Sequence, residues 1–247
     1  MPHSNLTIST QNKITTISLN RPDKCNALDG ALVQHLQEAF WGASKDDKTG
    51  VILLNGAGHH FCAGADIDWM HQLAQSSFEQ NTADAQNLAS LLYTLYTFPK
   101  PIITLAQGAT MGGGLGLLVC SDIVIAAEEA RFCFSEVKIG LVPAVVSPYV
   151  VAAIGQQAAR YYFLTAERFA APEALRLGLV QKLVPQDELL TTGLKLSQTL
   201  LQYSPAALKE ISASCRRSLI RPFPWNFQKR RLKSWLPCGF LNRGRKA

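Results

Sequence analysis

The sequence predicts an α/β protein in which strands alternate with helices. Residues 51–54 and 123–126 are continuously apolar, and residues 102–106 repeat the pattern with one threonine, as is typical of strands covered on both faces. Leucines between the first two runs recur at the spacing of an amphipathic helix: Leu88, Leu91, Leu92 and Leu95. At 247 residues, with 47% hydrophobic and 17% charged side chains, the chain fits one large domain or one domain with an appendage. Disordered, collagen-like and coiled-coil classes do not fit.

The chain begins with a predicted strand and a predicted helix. Residues 13–20 have the composition of a strand, which ends before Arg21 and Pro22. Asp29 is then a suitable helix cap, because its side chain can accept hydrogen bonds from the free N–H groups of a first turn. Apolar residues recur around it at helical spacing: Leu28, Leu32, Leu36 and Phe40.

The second half of the chain is predicted to be mostly helical. Helices are expected over residues 145–154, 156–164, 172–177, 187–201 and 205–215. Pro172 suits the first turn of a helix, and Gly178 suits a helix stop. There is no repeat of fixed period and no low-complexity linker. We expect a core of residues 1–190 and a C-terminal helical region of residues 191–247 that includes an atypical basic tail, 216–247.

Cysteine usage and the amino terminus predict a protein of the reduced cytoplasm. The polar start, residues 1–10, has no signal-peptide core, and the six cysteines form no close CxxC pair. The uncharged runs 101–121 and 139–157 are interrupted by glycine or proline, which favours a buried core over a membrane span. His59 and His60 are adjacent and lack the spacing of metal ligands, so no metal is expected.

Basic residues are concentrated in the tail. The whole chain has a formal charge of +6, but residues 216–247 contain 10 of its 24 basic residues and none of its 18 acidic ones. Aromatic residues lie among them: Phe223, Trp225, Phe227 and Trp235. Since basic side chains attract phosphates and aromatic rings stack on bases, binding of single-stranded RNA by this tail is one alternative function.

Two glycine-bearing segments are the strongest functional signal. They are residues 61–66 (Phe-Cys-Ala-Gly-Ala-Asp) and 111–116 (Met-Gly-Gly-Gly-Leu-Gly), and each precedes a stretch with helical character. Such turns can direct free backbone N–H groups at one negatively charged oxygen. Two donors of this kind form an oxyanion hole, which stabilises an enolate. The second segment lacks the Lys-Ser/Thr of a phosphate loop and the third glycine of a dinucleotide turn.

Glu136 is the candidate acid and base. It follows the predicted strand 122–127 within the largely apolar stretch 130–136 (Ala-Arg-Phe-Cys-Phe-Ser-Glu). Apolar surroundings raise the pKa of a glutamate, because they disfavour the charged form. A carboxyl group placed there is suited to proton transfer at neutral pH.

Taken in order, these segments resemble the crotonase (enoyl-CoA hydratase/isomerase) family. The resemblance is carried by residues 20–28, 61–66, 112–116, Glu136, 140–143, 164–169 and 178–180. It implies a crotonase-like ββα spiral core with a C-terminal helical region, an acyl-CoA thioester as substrate, and a homotrimer or a dimer of trimers. No cofactor is implied, since coenzyme A is part of the substrate.

The resemblance also implies roles for single residues. The backbone N–H groups of Ala65 and Gly113 hold the thioester oxygen in the family, and Glu136 matches one of two glutamates that its hydratases use. The residues that would line the coenzyme A and substrate pocket are Arg21, Lys24, Cys25, Ala27, Ala63, Asp66, Ile67, Gly112 and Gly116. Asp66 is equally well interpreted as the N-cap of a helix.

The second glutamate of the family is absent. The pattern Gly-Gly-Gly-x-Glu would place it at position 116, where this chain has glycine. Together with residues 65–70 and the stretch 130–151, in which residues 144–151 replace the usual glycine-rich continuation, this is most similar to bacterial methylglutaconyl-CoA hydratases of leucine breakdown, some of which also carry glycine there. Hydration of 3-methylglutaconyl-CoA is therefore the first hypothesis. An isomerase, in which Glu136 moves a proton between two carbons, is the alternative.

A distal carboxylate on such a substrate needs a cationic or hydrogen-bonding partner if it is buried. The sequence does not assign that partner. Lys138, Arg131 and His71 are the nearest polar candidates along the chain.

Overall fold

A six-stranded sheet forms the centre of the protein, which a computed structural model describes over residues 5–219, with side chains through Cys215. Numbered along the chain, its strands in spatial order are β1 (Leu6–Gln11), β2 (Ile14–Leu19), β3 (Val51–Gly56), β4 (Ile102–Ala106), β6 (Ile123–Ala127) and β9 (Lys182–Val184). β1 and β2 are antiparallel, and every other neighbouring pair in this sheet is parallel. The register pairs Ile14 with Val51, Ile52 with Ile102 and Ile103 with Ile123.

A small second sheet lies beside the first. It contains β5 (Ala109–Met111), β7 (Arg131–Cys133) and β8 (Phe169–Ala170). β5 and β7 are parallel, so that Met111 pairs with Cys133, and β7 is antiparallel to β8. Because Met111 leads into the second glycine turn and Cys133 leads towards Glu136, this pairing brings the two candidate segments together.

Helices cover the sheets. They are α1 (Gly30–Lys45), α2 (Ile67–Gln75), α3 (Phe78–Tyr96), α4 (Gly113–Val119), α5 (Ser147–Thr165), α6 (Ala171–Arg176), α7 (Leu189–Leu200) and α8 (Pro205–Leu219). Short 3₁₀ helices span Pro22–Lys24, Glu136–Ile139 and Gln186–Glu188. In the part of the chain that the structure describes, no helix is both long and apolar enough to span a membrane.

The central strands are buried on both faces, as the continuous apolar runs predict. On β3, Ile52 and Leu54 pack in the larger core with α1 and α3, whereas Val51 and Leu53 face the opposite side and pack near α7. This alternation follows from the two-residue period of a strand. Both faces need apolar side chains because both are covered by helices.

The predicted α/β crotonase-like fold is confirmed, and most predicted elements lie within a few residues of the observed ones. Asp29 caps α1, since its Oδ1 accepts a hydrogen bond from Leu32 N at 2.7 Å. The break between the two helices predicted around position 155 is a kink within α5, where Gly155 has a left-handed φ of 77°. β1 was not predicted, because an edge strand with one buried residue in six has no apolar run.

Helix α7, which extends past residue 190, packs directly onto the sheet. In α7, a side chain on Gly193 would come within 2.8 Å of Leu105 Cδ2 and 3.0 Å of Leu53 Cδ1. A glycine therefore lets the helix backbone approach β3 and β4 closely. The division into 1–190 and 191–247 stays a prediction.

Candidate active site

The first glycine turn lies along β5. Phe61 N donates to Gln107 O at 2.8 Å, Cys62 N donates to Ala109 O at 3.2 Å, and Met111 N donates back to Cys62 O at 2.9 Å. The two segments that the sequence places fifty residues apart are therefore hydrogen-bonded neighbours. Backbone hydrogen bonds fix the register of the two segments, so that one cannot shift along the other by a residue without breaking them.

The same turn is also held by the loop before α1. Leu28 N donates to Gly64 O at 2.7 Å, and Asp66 N donates to Leu28 O at 2.8 Å. Ala65, between these two bonds, is exposed, and its N–H donates to no acceptor that the structure describes. The turn thus leaves one backbone donor free while its neighbours on both sides are fixed.

The second turn presents a similar donor. Gly112 has a φ of 45°, a conformation that favours glycine, and its N–H donates to Cys133 O at 3.0 Å. Gly113 is the first residue of α4, so its N–H has no acceptor within the helix, and none is found elsewhere among the described residues. The free N–H of Gly113 thus lies next to the N–H of Gly112, which is held by a hydrogen bond.

Glycine is needed where the two turns meet. A Cβ on Gly114 would lie 2.7 Å from Cys62 O, and one on Gly113 would lie 3.0 Å from Leu28 Cδ1. Gly64 has a φ of 99°, and a Cβ there would lie 3.2 Å from Met111 O. The glycines therefore allow a close backbone approach that a larger residue would prevent.

Glu136 lies at the second turn. Its Oε1 is 3.5 Å from the position that a Cβ would have on Gly112. Its Oε2 is shielded from solvent and has no hydrogen-bond partner among the described residues. Burial raises the pKa of this carboxyl to about 7, although a hydrogen bond from its own backbone N–H acts in the opposite direction. The group can therefore both take and give a proton near neutral pH.

Arg21 and Asp66 mainly bind each other. Arg21 Nη2 donates to Asp66 Oδ2 at 2.7 Å, and its Nη1 lies 2.5 Å from Ala27 O and 3.0 Å from Asp29 Oδ2. Asp66 caps α2, accepting from Asp68 N at 2.9 Å. The structural interpretation of Asp66 is thus supported by its contacts, and the guanidinium of Arg21 is used to join the two loops.

The electrostatics of Asp66 agree with this structural role. Burial alone would raise the pKa of its carboxyl, but hydrogen bonds from Arg21 and from the N–H groups of Asp68 and Trp69 outweigh it and lower the pKa. Asp66 therefore remains a carboxylate at neutral pH.

Asn26 joins two loops, a role that its sequence pattern does not predict. Its side chain is fully buried, accepts a hydrogen bond from Arg21 N at 2.8 Å, and donates to Ala57 O at 2.8 Å and to His60 O at 2.7 Å. It ties the loop before α1 to the segment that leads into the first turn. The available signal was an asparagine in a loop, a residue that tolerates positive φ, and its φ is 55°.

The remaining pocket candidates fall into two groups. Lys24, Cys25, Ala63 and Ile67 are at least partly exposed, so a ligand can reach them, and Ile67 is 72% exposed. Lys24 Nζ pairs with Asp68 Oδ2 at 2.8 Å, and this hydrogen bond raises the pKa of the ammonium. Ala27, by contrast, is buried, and its carbonyl accepts from Arg21.

Gly116 is enclosed by apolar side chains. A Cβ at this position would lie 2.7 Å from Val146 Cγ1 and 3.0 Å from Leu92 Cδ1. Apolar side chains therefore occupy the space that a side chain at this position would take.

The three candidate partners for a distal carboxylate show no hydrogen bond to either turn among the described contacts. Arg131 Nη1 donates to Glu129 O and Ala130 O, at 2.9 and 3.0 Å, while Lys138 and His71 are exposed. Among the described residues, no three His, Cys, Asp or Glu side chains are grouped as metal ligands, and His60 Nδ1 accepts from Ala109 N at 3.0 Å.

Sequence comparison agrees with this geometry. The sequence profile described as enoyl-CoA hydratase/isomerase matches residues 9–230. The chain therefore belongs to the enoyl-CoA hydratase/isomerase family, and it has the crotonase fold that the resemblance predicts.

Individual relatives support the same assignment. An enoyl-CoA hydratase structure from Shewanella pealeana is 40% identical, with a TM-score of 0.83 over 93% of this chain and 87% of that one. The structure of Pseudomonas aeruginosa AtuE is 32% identical, with a TM-score of 0.85 over 93% and 89% of the two chains. The 2,3-dehydroadipyl-CoA hydratase of Escherichia coli is 31% identical over 216 residues, which are 87% of this chain and 83% of that protein.

The basic tail proposed to bind RNA lies almost entirely outside the described residues. Only the backbone of 216–219 is described, as the end of α8. The RNA hypothesis and the predicted trimer both stay predictions.

Proposed function

We propose that the protein hydrates an enoyl-CoA thioester to a 3-hydroxyacyl-CoA, using one carboxyl group and two backbone amides. The observation that carries this proposal is the carboxyl of Glu136, which lies at the turn that leads to the free N–H of Gly113. Its pKa is raised to about 7, and its solvent-shielded Oε2 has no hydrogen-bond partner among the described residues. A carboxyl group in this state can exchange protons with water and with carbon at neutral pH.

The proposed steps balance without any further reagent. The carboxylate of Glu136 takes a proton from water while the water oxygen bonds to the β-carbon. The electrons of the carbon–carbon double bond move to the thioester, whose oxygen becomes an enolate held by the N–H groups of Ala65 and Gly113. The enolate then collapses as its α-carbon takes the proton back from Glu136. No separate cofactor takes part, since coenzyme A belongs to the substrate.

The exposed side of the first turn would hold coenzyme A. The exposed residues on this side are Lys24, Cys25, Ala63 and Ile67. Arg21 would contribute indirectly, since its hydrogen bonds to Ala27 O and Asp66 fix the loop. Gly112 would then contribute its proximity to Glu136, and Gly116 its packing, rather than a direct contact.

The favoured substrate is 3-methylglutaconyl-CoA or an enoyl-CoA with a similar distal carboxylate. The support is the glycine at position 116 and the similarity of residues 144–151 to methylglutaconyl-CoA hydratases. The Escherichia coli relative is named for 2,3-dehydroadipyl-CoA, whose acyl chain also ends in a carboxyl group. Cytoplasmic leucine breakdown by a trimer of this chain is the corresponding biological proposal.

A panel of thioesters tests both levels of the proposal. The full chain is incubated with enoyl-CoA substrates of matched length, with and without a distal carboxylate, and the products are analysed by mass spectrometry. Hydration adds the mass of one water, and the carboxylated substrates should have the higher kcat/KM. Hydration of the plain substrates with equal efficiency would refute the finer proposal and leave the coarser one standing.

Isomerisation is the second candidate, favoured by the single carboxyl group. One base that moves a proton between two carbons needs no second acid. It gives a product of unchanged mass with a shifted double bond, so the same measurement distinguishes the two reactions.

A further inference from the structure

The side-chain amide of Asn26 uses all of its hydrogen-bonding groups inside the protein. Its Oδ1 accepts from Arg21 N, and its Nδ2 donates to two carbonyl oxygens, Ala57 O at 2.8 Å and His60 O at 2.7 Å. The residue is fully buried, so water does not compete for these groups. The two carbonyls belong to the segment that leads into the first turn, and Asn26 belongs to the loop before α1.

The backbone on both sides of this contact is adapted to it. Asn26 has a φ of 55°, which asparagine tolerates better than most residues. Gly56, at the end of β3, has no side chain, and a Cβ there would lie 2.8 Å from Asn26 Nδ2 and 2.6 Å from His60 O. The glycine therefore leaves the space in which the amide meets its acceptor.

The loop that Asn26 anchors also holds the first turn around the free N–H of Ala65. Ala63 N donates to Cys25 O at 3.0 Å. Leu28 forms two backbone hydrogen bonds with the residues that flank Ala65, at 2.7 and 2.8 Å. Since Cys25 and Leu28 lie within two residues of Asn26, a displacement of this loop is passed on to Ala65 through three backbone bonds.

The other free amide, that of Gly113, is held by different contacts. Gly112 N donates to Cys133 O at 3.0 Å, and Met111 pairs with Cys133 between β5 and β7. None of the hydrogen bonds that the structure describes joins Asn26 to these two strands. Loss of the Asn26 side chain should therefore displace the amide of Ala65 more than that of Gly113.

We propose that Asn26 is a positioning residue for the oxyanion hole: through the loop that it anchors, it fixes the direction of the Ala65 N–H. The assignment rests on the proposed function and deepens it, since it names the side chain that supports one of the two donors. Asn26 is buried and acts only through the backbone. Its loss would misplace a donor, and a misplacement of about 1 Å can cost about 100-fold in rate.

Two variants of the full chain test the kinetic effect. Asn26→Gly removes the three hydrogen bonds and tolerates the positive φ, whereas Asn26→Asp keeps the acceptor and removes both donors. We expect kcat for hydration to fall roughly 10- to 100-fold, with kcat/KM falling in proportion, as for an interaction made only in the transition state. If one variant does not fold, the other decides. A folded variant with the wild-type kcat, or with a loss confined to KM, would overturn the proposal.

Lys100 provides a matched control outside the site. Its Nζ also donates to two backbone carbonyls, Ala43 O at 2.7 Å and Asp46 O at 2.8 Å. Lys100→Met should lower the melting temperature, because it removes both bonds, and should leave kcat within about twofold of the wild type. A loss of kcat equal to that of Asn26→Gly would mean that kcat follows stability in general, which contradicts the proposal.

Two further measurements locate the effect in the oxyanion hole. The ionisation of Glu136 in the pH profile of kcat/KM should stay where the wild type has it, because Asn26 acts on the amide and not on the carboxyl group. A saturated acyl-CoA labelled with ¹³C at its thioester carbonyl cannot be hydrated, and hydrogen bonds to its oxygen move the ¹³C resonance downfield. The downfield shift on binding should be smaller in Asn26→Gly. A moved ionisation, or an equal ¹³C shift, would refute the assignment.

The outcomes also separate this inference from the proposed function. A wild type that hydrates no enoyl-CoA thioester would refute the proposed function, while the ¹³C shift would still test whether Asn26 positions a donor. An active wild type whose Asn26→Gly variant keeps both its kcat and its ¹³C shift would refute the positioning role alone.

Discussion

Asp66 and Glu136 are two carboxylic acids at the same pair of turns, and their surroundings are opposite. Asp66 is 5% exposed, pairs with Arg21 at 2.7 Å and caps α2, so its pKa is lowered. Glu136 has an unpartnered, solvent-shielded Oε2, and its pKa is raised to about 7. The difference shows that the hydrogen-bond partners of a carboxyl group, rather than its burial alone, decide its role. Asp66 holds the loops together, whereas Glu136 is suited to proton transfer.

The largest expected effect is on catalysis. Glu136→Gln keeps the shape of the side chain and removes its ability to take a proton. We expect kcat for hydration to fall about 1,000-fold, within the range that a general acid–base group contributes. Product formation in a coupled or mass-based assay measures it, and Asp66→Asn serves as the comparison for a carboxyl group without a proton-transfer role. A Gln variant with the wild-type rate would remove Glu136 from the mechanism.

The second effect is on stability, through the partner of Asp66. Arg21→Met removes the guanidinium and leaves a buried carboxylate with only its backbone donors. We expect the free energy of unfolding to fall by about 3 kcal/mol, as when one member of a buried ion pair is lost. Urea denaturation measures this change. A variant as stable as the wild type would show that Asp66 does not need its cation.

The third effect is a pH dependence of stability that belongs to Glu136. Because its folded pKa of about 7 exceeds the usual value of 4.5, the folded state binds the proton more tightly. The stabilisation from this proton is complete below about pH 4.5 and is lost as the pH rises through 7. Glu136→Gln, which cannot ionise, should therefore be the more stable protein at pH 8, by about 3 kcal/mol. Thermal melts of both proteins at pH 5 and pH 8 test this, and a stability difference that does not change with pH would contradict the raised pKa.

The smallest effect is expected at a third carboxylate, Asp68, which is exposed and pairs with Lys24. Lys24→Met should leave the midpoint of denaturation unchanged within error, because exposed ion pairs contribute little and are screened by salt. It is the matched control for Arg21→Met, since both remove a cation from an aspartate next to the first turn. A loss of stability equal to that of Arg21→Met would show that burial is not what distinguishes the two pairs.

Much of the fold could be predicted from local pattern. Continuous apolar runs identify β3, β4 and β6 because their two faces are both covered. The kink at Gly155 and the stop at Gly178 follow from glycine in the left-handed region. β1 and β9 could not be found in this way, since each is at a sheet edge and has little apolar pattern of its own.

The site could be predicted only in part. The motif order predicts Glu136 and the two turns as one site, and the structure places these segments next to one another. The roles of Arg21 and Asn26 depend on partners that are distant in sequence, such as Asp66 and His60 O, so no local pattern reveals them. The crowding at Gly116 likewise depends on side chains from two other elements.

One backbone hydrogen bond has a consequence for motion. Gly112 N donates to Cys133 O, and Met111 pairs with Cys133 across the short sheet, so the chain before Gly113 and the chain before Glu136 are joined within a few residues of both groups. Fluctuations that displace one strand therefore displace the other with it. We therefore expect the distance between the Gly113 amide and the Glu136 carboxyl to change less than the positions of the surrounding helices do.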